Sequence, residues 1–150
     1  MLKRAAYERL MRWKREPHHL ALLVDGARQV GKTYLVREFG RNNYGTFVEI
    51  NFANTPEAKD IFKGSLNAKT LIPLLSSFTE TEFVPGDTLI FFDEIQECPQ
   101  ARTAIKFLVE DGRFDYIESG SLLGVTYESV PSLPVGYESE LRLYPLSFEE

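Results

Sequence analysis

Eight residues constrain this chain more than any others. Gly26, Ala27, Arg28, Gln29, Val30, Gly31, Lys32 and Thr33 match the pattern G-x-x-x-x-G-K-[ST]. The short apolar run Leu20–Val24 comes before it, and a helical pattern from Lys32 to Phe39 follows. A strand buried on both faces, a glycine-bounded loop and a helix form one structural unit. The glycines let the backbone curl until successive N–H groups point inward at an anion. The N-terminus of the helix adds partial positive charge. Lys32 brings a point charge, and Thr33 brings a hydroxyl suited to a hard cation. A chance match in a chain of this length is roughly one in a few hundred. A bare glycine turn between strand and helix is the bland alternative.

The rest of the chain repeats the alternation. Thr46–Phe52 and Thr88–Phe92 read as strands, and so do Phe114–Ile117 and Leu141–Tyr144. Lys3–Arg15 reads as an opening helix with a stripe of Leu2, Ala6, Leu10 and Trp13. Gly40 should stand just past the end of the second helix. Thr55 and Pro56 read as the N-cap and first turn of another helix. Asn67 should cap a helix with Leu71, Leu74, Leu75 and Phe78 at helical spacing, although Pro73 obscures its start. Pro85 and Gly86 turn the chain into Thr88. Pro99 opens a helix with an apolar face of Ala101, Ala104, Ile105, Leu108 and Val109, and Gly112 ends it. Such alternation predicts an α/β fold with a mainly parallel sheet covered by helices on both faces.

Composition excludes several classes. The chain has 150 residues, 43% hydrophobic and 26% charged, enough for one domain with a core. No apolar run approaches the ~20 residues of a membrane span. No N-terminal stretch resembles a signal peptide. The single cysteine, Cys98, allows neither an internal disulfide nor a cysteine-built zinc site, and a cytoplasmic setting is expected. Residues 1–41 carry ten Lys/Arg against four Asp/Glu; the remainder carries seven against eighteen. The acidic remainder argues against a domain that wraps nucleic acid. The basic opening helix reads as a solvated docking helix or as a contact for phosphate or nucleic acid.

Two adjacent acids, Asp93 and Glu94, end the run Thr88–Phe92. In a parallel sheet the strand C-termini face the ligand, so both should face the loop at 26–33. Asp93 suits a Mg²⁺ site, largely through water. Glu94 suits general-base activation of an attacking water. The chain lacks the D-x-x-G and N-K-x-D motifs of Ras-type GTPases, because Asp93 is followed by Glu94, Ile95 and Gln96. The second acid favours hydrolysis over transfer to a small-molecule acceptor.

Four segments occur in order: 26–33, Phe91–Gln96, Ser119–Leu123 and Tyr144–Glu149. The set resembles the prokaryotic AAA-type ATPases with an uncharacterised C-terminal domain. The resemblance covers nearly the whole chain. It implies a P-loop NTPase three-layer sandwich with a five-stranded sheet of the additional-strand, catalytic-glutamate type, ordered 5-1-4-3-2. It implies ATP and Mg²⁺, with Lys32 on phosphate, Thr33 and Asp93 on the metal, and Glu94 on water. Ser119 and Ser121 stand where relatives keep a polar γ-phosphate sensor; a hydroxyl-capped turn is the alternative. The implied organisation is a single ATPase core, with a helix over 1–16 and a nucleotide-binding core over 20–144. The helical lid and C-terminal domain lie outside it. Ser147–Glu150 fits a capping box, so a helix should begin where the chain stops, as in the N-terminal part of a longer protein or in a shortened gene product. Expected partners are ATP, a second copy of the chain, and a protein or DNA reached through that missing region.

The chain also departs from the pattern. Val135, Gly136 and Tyr137 occupy the place where relatives often have Gly-Arg, and no Lys or Arg occurs between Arg113 and Arg142. An arginine finger is worth about 10³–10⁵ in rate, so slow turnover is expected. A nucleotide-dependent binding switch is therefore the competing function. Arg28 reads as an exposed loop arginine or a phosphate contact. Arg102 and Arg113 read as solvated helix residues or interface arginines. Gln96 reads as a turn residue or a water-positioning group. His18 and His19 lack a third ligand nearby, and Cys98 lacks a histidine partner.

Overall fold

The computed structural model describes residues 2–17, 20–26, 31–120 and 138–143. The elements are α1 (Leu2–Arg15), β1 (Ala21–Gly26), α2 (Lys32–Asn43), β2 (Thr46–Asn51), α3 (Ala68–Thr79), β3 (Thr88–Asp93), α4 (Pro99–Asp111), β4 (Asp115–Gly120) and β5 (Glu138–Leu143). Two 3₁₀ segments, Pro56–Phe62 and Ile95–Glu97, follow β2 and β3. Every strand pairing is parallel, and the sheet runs β2-β3-β4-β1 with β5 alongside β1 at the edge. All strands therefore end at one edge.

Side-chain alternation explains why the central strands are continuously apolar. Leu89 and Phe91 of β3 point into a core with α1 and α2, where Ala6, Leu10, Trp13, Val36 and Phe39 are buried. Ile90 and Phe92 point the other way, into a core with α3 and α4. There Phe92 lies between Phe52, Phe62 and Tyr116, at ring separations of 5.9, 6.0 and 6.3 Å. A strand with helices on both sides has no solvent face, so period-two patterning disappears. The stripe on α1 is buried at Ala6, Leu10 and Trp13, and the Trp13 indole N–H donates to the Leu20 carbonyl at 2.6 Å.

Several local expectations need correction. Gly40 lies inside α2, which runs on to Asn43. Its missing side chain serves packing, because a methyl there would overlap the Phe47 ring. Thr55 makes no side-chain cap, and Pro56–Phe62 winds as a 3₁₀ helix. Three residues per turn stack Ala58 under Ile61, and both are buried. On α3 the buried stripe is Leu71, Ile72 and Leu75, while Leu74 and Phe78 are exposed. Those two fall on the adjacent stripe, about 100° round the helix from the core. Pro73 sits within α3 on its exposed side, so the Lys69 carbonyl it leaves unbonded is on the water side. Asn67 caps α3 as expected, accepting from the Thr70 N–H at 2.8 Å. Gly112 closes α4 at φ 77°, a left-handed position that favours glycine.

Gly40 provides a test in which helix propensity and packing have opposite signs. Gly→Ala inside a helix normally stabilises by about 0.5–1 kcal/mol. Here Gly40→Ala should destabilise by about 1–3 kcal/mol, through overpacking against Phe47. Urea denaturation checks this, and adding Phe47→Ala should turn Gly40→Ala neutral or stabilising.

Candidate functional site

The C-terminal ends of the strands gather the polar residues. Cross-strand register sets Asn51 beside Asp93, Asp93 beside Ser119, and Ser119 beside Val24. Gly31 starts α2 at φ 81°, a left-handed conformation that glycine adopts without penalty. Lys32 follows and is buried, with its ammonium donating to the Gly26 carbonyl at 2.6 Å. The cation is thereby held at the mouth of the loop. Ala27, Arg28, Gln29 and Val30 lie outside the described residues, as do Ser121, His18, His19 and the segments 121–137 and 144–150.

Thr33 points from α2 toward the end of β3, and its hydroxyl donates to Asp93 Oδ2 at 2.6 Å. Asn51 Nδ2 donates to the same oxygen at 3.4 Å. The Glu94 N–H donates to Asp93 Oδ1 at 2.9 Å. Burial raises the Asp93 carboxyl above its ordinary value. The Thr33 hydroxyl and the Glu94 N–H oppose this, while the Glu94 and Glu49 charges add to it. Removing a carboxylate from water costs energy that a nearby cation would return. Among the described residues no group of three or more His, Cys, Asp or Glu could hold a metal. One carboxylate and one hydroxyl suit Mg²⁺, which takes only one or two carboxylates from the protein and completes its shell with water and phosphate oxygens.

Glu94 adopts φ 54° and ψ 46°, a left-handed conformation uncommon outside glycine. It turns the chain sharply out of β3 into the 3₁₀ turn Ile95–Glu97. Gln96 Nε2 donates to Glu94 Oε1 at 2.7 Å. Ser119 is fully buried, and its hydroxyl has no hydrogen-bond partner among the described residues.

Arginine placement changes one reading and agrees with another. Arg102 is mostly buried rather than a solvated helix residue. Its guanidinium Nε lies 3.8 Å from Glu118 Oε1, with Glu118 fully buried in β4. Glu118 was not singled out from the sequence; the available signal was an acid inside an otherwise buried strand, next to Ser119. Arg113 is exposed and pairs with Asp111 at 3.0 Å. Cys98 is buried, and burial raises its thiol, which makes it a poor nucleophile. A cavity of about 440 Å³ bounded by Leu20, Glu110, Asp115 and Tyr116 lies at the opposite, N-terminal edge of the strands.

The Asp93 shift has a consequence for stability. A carboxyl raised in the folded state binds its proton more tightly there than in the unfolded chain. Stability from Asp93 is full below its ordinary value of 3.8 and is lost as pH rises through the folded value. Asp93→Asn should therefore raise the melting temperature of the ligand-free protein at pH 7. That gain should shrink as pH falls through the raised folded value and be gone once pH reaches 3.8, measured by thermal denaturation across pH.

An AAA domain family model matches residues 18–150. No curated protein matches the chain. The Orc1 protein of Aeropyrum pernix, solved in complex with DNA, is similar in structure at a TM-score of 0.58 and 15% identity. The alignment covers 97% of this chain and 45% of that one, so the chain spans less than half the length of the Orc1 chain. At that identity the likeness concerns the fold alone. It agrees with the parallel sheet and the strand–loop–helix unit at its centre, and the match over residues 18–150 shows that this chain belongs to the AAA domain family.

Proposed function

We propose that the chain binds ATP with Mg²⁺ at the C-terminal edge of its sheet and hydrolyses it. The hydrogen bond between Thr33 and Asp93 carries this reading, since it joins the loop helix to the β3 acid at 2.6 Å. Backbone N–H groups of residues 26–33 cradle the phosphates. The Lys32 ammonium exchanges the Gly26 carbonyl for β- and γ-phosphate oxygens. Thr33 and Asp93 would hold Mg²⁺, whose charge would offset that of the phosphates. Glu94 takes a proton from a water molecule as the water oxygen attacks the γ-phosphorus. The bond to the β–γ bridging oxygen breaks, leaving ADP and inorganic phosphate. The Ser119 hydroxyl, buried and unpartnered among the described residues, suits a γ-phosphate contact. Hydrolysis would drive rearrangement of attached or partner domains.

A second reading is a nucleotide-dependent switch with little turnover. The absence of any Lys or Arg between Arg113 and Arg142 favours it. Under either reading a second copy of the chain, another protein or DNA is the partner. The Orc1 complex makes DNA a concrete choice to test. Among the described residues no helix is long and apolar enough to cross a membrane.

Titration with ATP-Mg²⁺ and phosphate release on the same samples test the proposal. Lys32→Ala should weaken binding at least ~10-fold, the scale of losing a charge-assisted phosphate contact. Glu94→Gln should preserve binding and reduce release by about 10²–10⁴-fold, as expected for loss of a general base. Unchanged affinity in Lys32→Ala overturns the site. Binding without release in the unaltered chain selects the switch.

A further inference from the structure

We infer that Gln96 is the positioning residue for Glu94, and that Gly120 is the notch that seats it. This deepens the ATPase reading and rests on it. Glu94 leaves β3 through a left-handed backbone turn, so its side chain needs an external hold to keep one direction. Gln96, two residues on in the 3₁₀ turn, provides it through Nε2 to Oε1 at 2.7 Å. Only the amide nitrogen can donate to a carboxylate, so this contact sets the orientation of the Gln96 amide. The other end of that amide, Oε1, is buried without a hydrogen-bond partner among the described residues. It lies against Gly120, where a methyl group would overlap it. A buried acceptor left unpaired costs free energy, so the seat is retained against a local penalty.

The geometry also ties Glu94 to the sensor strand. Gly120 ends β4 directly after Ser119 and pairs in register with Asp25 of β1. A shift at the end of β4 presses on the Gln96 amide and, through it, on the Glu94 carboxylate. Contact with phosphate at Ser119 and the orientation of the base are thus linked through two side-chain contacts. A base misplaced by about 1 Å can lose ~100-fold in rate without any change in binding.

The test has two stages. First, urea denaturation of the ligand-free chain compares Gln96→Ala, Gly120→Ala and the double variant. Gly120 has no positive φ, so alanine there carries no backbone penalty. Gly120→Ala should lower the folding equilibrium constant in the parent chain by at least ~5-fold, and in the Gln96→Ala background by less than ~2-fold. Equal losses in both backgrounds overturn the seat. Second, single-turnover phosphate release is measured beside ATP-Mg²⁺ affinity. Gln96→Ala and Gly120→Ala should each slow release by about 10-fold or more, with affinity held within ~2-fold. Gln96→Glu, which sets a second carboxylate against Glu94, should be at least as slow. Release at the parent rate in Gln96→Ala, with Glu94→Gln inactive, overturns the positioning role and leaves the ATPase reading standing. A parent chain that binds ATP-Mg²⁺ without release overturns both.

Discussion

The two-sided burial of β3 and its neighbours organises this molecule. Leu89 and Phe91 belong to one core, Ile90 and Phe92 to the other, and every residue of the strand is buried. Each buried side chain of this size contributes roughly 1.5–3 kcal/mol of transfer free energy. Slipping the strand by one residue would exchange the faces and put Asp93 inside a core. The hydrophobic register therefore also sets the polar register. Asn51, Asp93 and Ser119 stand in one row because the apolar residues before them have nowhere else to go.

That row is energetically costly, and its costs concentrate at one edge. Asp93 is buried with its carboxyl raised, Lys32 is buried on a carbonyl, Ser119 has an unsatisfied hydroxyl, and Glu94 holds a left-handed backbone. None of these helps the ligand-free fold. Under the proposed function each would become favourable once phosphate and a divalent cation bind. Clustered local penalties of this kind mark sites whose stabilising partner is a ligand. The same edge shows how the acids differ. Asp93 is locked by three donors, while Glu94 is held through Gln96.

Legibility of the fold followed the physics of each element. Strands buried on both faces appear as apolar runs whatever their neighbours, so β1 and β3 could be read directly. Helix ends set by local chemistry were also legible: Asn67 and Gly112 cap through their own side chain or backbone. Gly40 misled because a glycine at a helix stop and a glycine under a crossing ring look identical in sequence. Leu74 and Phe78 misled because helical spacing shows a stripe without showing which stripe is covered.

By itself, the sequence determined the strand before the glycine-bounded segment and the helix that starts at Lys32, the acids closing β3 and the class of sheet, because these rest on local patterning and backbone chemistry. Tertiary structure alone decided which side chains meet across long separations. It brought Thr33 to Asp93, Arg102 to Glu118, and Gly120 under Gln96. Those contacts depend on strand order and register, which arise from packing two cores against one sheet. Residue spacing along the chain carries no record of them.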